Sequence, residues 1–292
     1  MLWIILTAAA APLQVARNAL QRGLVGDAGP WGATLVRFLF GLPFSIAMFA
    51  VVNLLTPEAH PDPSVRFWAA VVIGGVAQMA ATGFLLLTMH RSGFAVATVM
   101  QQSSLPLAAV LGVFLGDALP AQAWGGVAIA TVGLVTLSWP KPKDMKGSLS
   151  GAMSGLASGM AFAVALNGYR KAGLALDAGH PIYSALGSLV CAQVIQSLLL
   201  GGILFALRRE ALRAVMASWK PSLGAGFFGS AASACWFGAL ALAPAGPVRA
   251  VGVIEAPIAA AVGRRLFLEK LSARQWVGGA LTTVGVVLTV LR

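Results

Sequence analysis

Residues 67–89 read FWAAVVIGGVAQMAATGFLLLTM, twenty-three positions without one charged side chain. As an α-helix this stretch is about 34 Å long, enough to cross the roughly 30 Å hydrocarbon core of a bilayer. Its apolar residues run on continuously and do not alternate, so it is not the strand of a membrane barrel. Inside lipid a segment must satisfy its own backbone hydrogen bonds, which leaves the helix. Two polar residues, Gln78 and Thr82, stand in its middle, four apart and therefore on one face.

The same pattern recurs along the chain. Apolar segments are read at 2–21, 33–55, 67–89, 93–116, 122–139, 148–169, 181–207, 221–242, 247–268 and 274–291, bounded by charges, prolines or turn residues. Only 10% of the 292 residues are charged, against about 25% in a soluble domain, too few to cover a water-facing surface. The net charge of +11 does not mark a nucleic-acid binder, because the basic residues form short clusters between apolar runs. Met1-Leu2-Trp3-Ile4 lacks the basic start of a signal peptide, so it is read as opening the first helix. Cys191 and Cys235 lie inside apolar runs and read as small buried side chains.

The two halves repeat each other. Leu24-Val25-Gly26-Asp27-Ala28-Gly29 matches Leu174-Ala175-Leu176-Asp177-Ala178-Gly179, and Trp124, Gly126 and Thr131-Val132-Gly133 match Trp276, Gly278 and Thr283-Val284-Gly285. Asp117 falls on Glu269, Leu119 on Leu271, and Pro106 on Pro257 one residue out of phase. Five spans is an odd number, so two copies in one chain enter the membrane in opposite senses. The expectation is an all-α integral membrane protein of ten transmembrane helices, built as two inverted five-helix repeats at 1–140 and 147–292. Exchange of conformation between such halves turns an outward-open cavity into an inward-open one, with the solute site near the midplane.

Of the 20 Lys and Arg residues, 15 lie in or beside the connectors after helices 1, 3, 5, 7 and 9, among them Arg17, Arg22, Arg37, Lys141 and Lys143. The other five are Arg66, Arg170, Lys171, Arg249 and Arg292. This bias places the first set in the cytoplasm and both termini outside.

Phe114-Leu115-Gly116-Asp117-Ala118-Leu119 followed by Trp124 and Gly126, and Phe267-Leu268-Glu269-Lys270-Leu271 followed by Gln275-Trp276 and Gly278, resemble the conserved end of each EamA repeat. Pro106 and Pro257 sit where that family carries a helix proline, and Arg37-Phe38 resembles its Arg-Phe pair. The whole chain thus resembles two EamA units of the drug/metabolite transporter superfamily. The resemblance implies a bacterial inner-membrane protein, working as a monomer with membrane lipids as its surroundings. It implies export or exchange of a small-molecule substrate: amino acids first, with other metabolites or cationic drugs as the alternative. Two departures stand out: Asp117 replaces the usual Glu, and the charge bias turns the termini outward where the family keeps them in the cytoplasm.

Glu255 is the sharpest candidate for substrate contact. It is the acid deepest in a span, two residues before Pro257, and such charges face a cavity or a partner. It is read as a counter-charge for a substrate ammonium, as a proton-coupling carboxyl, or as a structural pair with Arg37 or Arg249. Gln101, Gln102 and Ser103 precede Pro106, which removes a backbone donor and bends helix 4; Pro257 does the same in helix 9. Gln78 and Thr82, Phe162 and Asn167, and Trp236 complete the candidate set, Phe162 and Trp236 because the resemblance places aromatic residues in the central cavity there. Gln14, Arg17, Asn18 and Gln21 form a polar side on helix 1, read as a helix end snorkelling to the interface, with a cavity wall as the alternative. Gly151, Gly155 and Gly159 read as a packing stripe.

No cofactor or metal is expected, for His60, His90 and His180 all lie in connectors and no ligand spacing occurs. The same pattern argues against an intramembrane enzyme, and one asymmetric Glu255 against the charged rings of a channel. There is no P-loop, so the energy source is not ATP bound in this chain.

Overall fold

The computed structural model describes residues 1–138, 145–267 and 273–290. The junction of the two expected repeats, with Lys141 and Lys143, lies outside the described residues. So do Trp139, Leu268, Glu269, Lys270, Leu271 and Arg292, and the side chains of Lys146, Pro257, Arg264 and Gln275.

The described chain is all helical, without strands. It opens with α1 (Leu2–Leu39), which is a hairpin of two arms: Gly29 interrupts it at φ 67° and ψ 172°. That φ belongs to the left-handed region, which glycine enters without steric cost. Pro30 follows, its fixed φ suited to the first turn of the returning arm. Gln21 Nε2 donates across the hairpin to the Ala33 carbonyl at 2.7 Å. The first helix therefore runs to Ala28, beyond the boundary at residue 21 read from sequence, because Leu24, Val25 and Ala28 bury themselves against the returning arm.

The remaining elements are α2 (Leu42–Leu55), α3 (Val65–Ser92), α4 (Phe94–Gln101), α5 (Ser104–Phe114), α6 (Ala121–Ser138) and α7 (Met145–Leu176). They continue with α8 (Pro181–Leu207), α9 (Arg209–Ala217), α10 (Trp219–Leu242), α11 (Ala245–Gly252), α12 (Glu255–Phe267) and α13 (Ala273–Val290). Four helical segments among the described residues are long and apolar enough to cross a membrane: Leu2–Leu55, Val65–Ser92, Pro181–Leu207 and Trp219–Leu242. The outer surface is lipid-like. In α2 only Ser45 is buried, while Ile46, Val51, Leu54 and Leu55 are exposed. So many exposed large apolar side chains suit a membrane protein, solvated by hydrocarbon. Trp124 and Trp276, at helix starts, are exposed as interfacial tryptophans are.

The helix α9 was not foreseen from the sequence, which reads there as a charged connector. It is short and two-faced: Val215 is buried with Ala211, Leu212 and Ala214 against the core, while Arg209, Glu210 and Arg213 face out. Such a helix suits the plane of the membrane interface.

Two of the apolar segments read from sequence, 93–116 and 247–268, are broken, and each break falls four residues before a proline. Pro106 lacks an N–H, so the Gln102 carbonyl loses its helical donor; it accepts from Leu105 N at 2.9 Å instead, and α4 ends at Gln101. Pro257 does the same to the carbonyl of Val253, in the gap between α11 and α12. The bend foreseen at Pro106 and Pro257 is thus a full interruption, one turn upstream of each proline. The most extensive helix packings are α3 on α7, α1 on α10 and α6 on α13. At the breaks, α4 lies against α12 and α5 against α11. The stripe at Gly151, Gly155 and Gly159 packs α7 against the end of α3, then α4, then the α4–α5 break: added Cβ atoms would meet Ser92, Met100 and Ser103 in turn.

At one end of the bundle Asp177 ties two connectors together. Its carboxylate accepts from the backbone N–H groups of Gly179 at 2.9 Å and His60 at 3.0 Å and contacts His180 Nδ1 at 2.9 Å. The His180 hydrogen bond, more than any other contact, holds the Asp177 pKa below the ordinary carboxylate value. A carboxylate depressed in the folded state stabilises above its unfolded pKa, about 3.9, and that contribution fades as pH falls through the lower folded value. Asp177→Asn is expected to speed amide exchange at His60 and Gly179 at neutral pH, whereas the wild type keeps their protection until pH falls below about 3.9. Equal exchange in the two proteins at pH 7 would remove the tie.

Candidate functional site

The breaks in α4–α5 and α11–α12 open onto a buried polar centre. Glu255, the first residue of α12, is 0% exposed. Its Oε2 accepts from Gln14 Nε2 at 2.8 Å and lies 3.5 Å from the Arg249 guanidinium, while its Oε1 accepts a longer contact from Asn18 Nδ2 at 3.4 Å. Arg249, on α11, also donates from Nε to Ser104 Oγ at 2.8 Å and from an η nitrogen to Gln102 Oε1 at 2.5 Å. One guanidinium thus ties both gaps together. It stands 5.4 Å from the centre of the Trp236 ring, whose Nε1 donates to Gln14 Oε1 at 2.8 Å. An indole only donates and a carboxylate only accepts, so Gln14 fits between them in one orientation alone.

A second network adjoins the first. Arg37 donates to Thr82 Oγ1 and to Ser233 Oγ, both at 3.0 Å, which ties α1, α3 and α10 together. Gln78 Oε1 accepts from the Tyr169 hydroxyl at 2.7 Å and from Gln196 Nε2 at 2.9 Å. Between the networks lies a cavity of about 20 Å³, lined by Gln14, Arg37, Gln78, Gln101 and Arg249 with the rings of Phe162, Tyr169, Trp236 and Phe237. It has room for about one water. Pockets that hold organic ligands are about 300–1,000 Å³, so the centre is closed in this conformation.

Several polar groups here have no partner among the described residues. Both amide atoms of Gln101, Nε2 of Gln102, Oγ of Ser103 and Nε of Arg37 are buried without a hydrogen bond. Buried polar groups are nearly always satisfied; of these, Gln101 and Arg37 line the cavity, whereas Gln102 and Ser103 do not.

Of the residues singled out from sequence, Gln78, Gln101, Phe162 and Trp236 line the cavity. Glu255 and Gln102 hold Arg249 from behind, and Thr82 holds Arg37. Asn167 is not among the lining residues. Its Nδ2 donates to the carbonyls of Ala108 and Ala163, which fastens α7 to α5. Ser103 is pressed against Gly159 and does not line the cavity. The polar side of helix 1 is not an interfacial end: Gln14, Arg17, Asn18 and Gln21 are all buried, Arg17 at 0% exposure with Asn18 Oδ1 as its hydrogen-bond acceptor. Arg37 and Arg249, counted from sequence among the flanking charges, are likewise 1% and 3% exposed. Tyr169 and Gln196 were missed; the signal was a polar pair at membrane depth, on α7 and α8. Asp117, the acid of the first EamA-like motif, pairs with Arg170 at 3.0 Å, away from the cavity. Among the described residues no group of His, Cys, Asp and Glu is arranged to hold a metal.

No family model and no curated protein matches the chain. A solved crystal structure aligns with it at a TM-score of 0.64 and 18% identity, over 99% of this chain and 95% of the other, a likeness of fold.

Removing one partner of a buried ion pair leaves the other charge uncompensated, at about 3–5 kcal/mol. Arg249→Gln is therefore expected to lower stability by about that much in detergent, and Glu255→Gln added to it to restore part of the loss. Strictly additive losses in chemical denaturation would contradict the Arg249–Glu255 contact.

Proposed function

We propose that the chain is a secondary transporter of small organic solutes, an EamA-type member of the drug/metabolite transporter superfamily working by alternating access. It crosses the inner membrane of a bacterium ten times, as two five-helix repeats of opposite sense, 1–140 and 147–292. The solutes most in keeping with the resemblance are amino acids. It acts as a monomer and moves its substrate without chemical turnover.

The observation that carries this reading is the pair of broken helices meeting at a buried polar cavity. Discontinuous helices around a midplane site are what transporters with inverted repeats use to offer backbone and side-chain groups to a solute. The breaks support the repeat, because residues 102 and 253 stand at the same offset as Pro106 and Pro257. The packing supports it too. Exchange of the first five spans with the second five carries the α3–α7 packing onto α10–α1, and α6–α13 onto itself. The α4–α12 contact is likewise carried onto α11–α5. A closed cavity of about 20 Å³ is the state such a cycle passes through between openings.

The orientation rests on the basic residues of the connectors. With Arg17, Arg37 and Arg249 buried, they no longer count as flanking charges, and the division becomes thirteen against four. The bias keeps its direction, which supports a topology with both termini in the periplasm.

Purified protein in proteoliposomes is expected to take up labelled amino acids with saturation, faster when the lumen is preloaded with unlabelled solute. Linear, non-saturating uptake or unitary currents in planar bilayers would overturn the reading in favour of a channel. Glu255→Gln, which removes the charge beneath Arg249, is expected to lower uptake about tenfold or more. Unchanged uptake of every solute, with and without a pH gradient, would take Glu255 out of the transport machinery.

A further inference from the structure

The buried centre is not electrically balanced. Three guanidinium groups, Arg17, Arg37 and Arg249, are at most 3% exposed, and Glu255 is the carboxylate buried with them. Arg249 is paired with Glu255, but Arg37 is held by the hydroxyls of Thr82 and Ser233, and Arg17 by the Asn18 amide. Among the described residues neither has a carboxylate within ion-pair distance. Charges at membrane depth are strongly disfavoured unless they are paired or face a water-filled path.

The unmet hydrogen bonds point the same way. Arg37 Nε, Gln101 Nε2 and Gln102 Nε2 are three buried donor groups without an acceptor. Of these, Arg37 and Gln101 line the cavity together with Arg249, Phe162 and Trp236. Gln101 Oε1 is unmet as well, so that amide offers either polarity, but the guanidinium charge in excess of Glu255 and the unmet Arg37 Nε are completed by a group that is negative and accepts.

We propose that the transported solute is a small organic anion, its acidic group received between Arg37 and Arg249 with the Gln101 amide as a further donor. This rests on the transporter reading above and narrows it: acidic solutes are favoured over neutral ones and cationic drugs are excluded. The rings of Phe162 and Trp236 offer the apolar wall against which the carbon skeleton lies. Glu255 does not receive a substrate ammonium, because its oxygens are already taken by Gln14, Asn18 and Arg249. It keeps Arg249 in place behind the solute and is a positioning residue.

Glutamate and glutamine make the sharpest comparison, since they differ by a carboxylate against an amide of nearly the same shape. The intact protein in proteoliposomes is assayed for counterflow of glutamate, glutamine, succinate, a glycerol phosphate, tryptophan and tetraphenylphosphonium. The same probes are added to detergent-purified protein in thermal unfolding, where a bound ligand raises Tm. The anions are expected to exchange and to raise Tm, with glutamate preferred over glutamine by about tenfold or more. Which of glutamate, succinate and the phosphate ester does so best distinguishes an acidic amino acid, a dicarboxylate and a phosphomonoester. Arg37→Gln is expected to collapse the glutamate-to-glutamine ratio and Arg37→Lys to restore part of it; the wild-type ratio stands as the test if neither variant folds. Equal or better exchange of glutamine, tryptophan or tetraphenylphosphonium would overturn the charge inference and leave a transporter. Exchange of none of the six, with no shift in Tm, would overturn both.

Discussion

A backbone carbonyl without a donor is tolerable in water and very costly in hydrocarbon, and two prolines impose that condition on this chain. Pro106 takes the helical donor from Gln102, and Pro257 takes it from Val253. In lipid such gaps survive only where protein or a water-filled space surrounds them. Here the gaps face each other, and Arg249 spans from one to the other through Gln102, Ser104 and Glu255. The buried polar centre follows from that requirement. The helices around it, α1, α3, α7 and α10, supply the side chains that shield it.

The same arrangement couples packing to charge. Arg249 is a structural tie and a cavity wall at once, so a solute that draws on its guanidinium also acts on the joint between α5 and α11. Arg37 holds α1 to α3 and α10 in the same way. In the proposed transport cycle, solute binding and helix movement would therefore share their contacts, and a ligand shifts a conformational equilibrium only through contacts that differ between the two states. The lipid-facing helix α2 has no part in this: its one buried polar group, Ser45, bonds to Gln193 on α8.

The helical, membrane-embedded character was readable from continuous apolar runs, and helix edges agreed closely where a charge or proline bounded them, as at Pro181–Leu207. Prolines at 106 and 257 announced a bend, and the mechanism that predicts it also predicts its place one turn earlier. What could not be read was which charges lie inside. Arg17, Arg37 and Arg249 flank apolar runs in sequence just as interfacial arginines do. Only the hairpin at Gly29, which folds α1 back on itself, brings Arg17 and Arg37 to the same wall beside Gly229. Asn167 shows the opposite error: a polar residue at membrane depth that serves a helix contact. The amphipathic helix α9 was hidden because nine residues carry too short a period to separate from a charged loop.

The central claim is that this closed centre opens alternately to the two sides of the membrane. It is tested most directly by the reactivity of one cavity position, Phe162→Cys, in a chain with Cys191 and Cys235 replaced by serine. Membrane-impermeant maleimide is applied to oriented vesicles from each face in turn. The account predicts labelling from either face, and protection from both when a transported solute is present. A cysteine that stays unreactive from both faces, or reacts from one face alone under every condition, would contradict it.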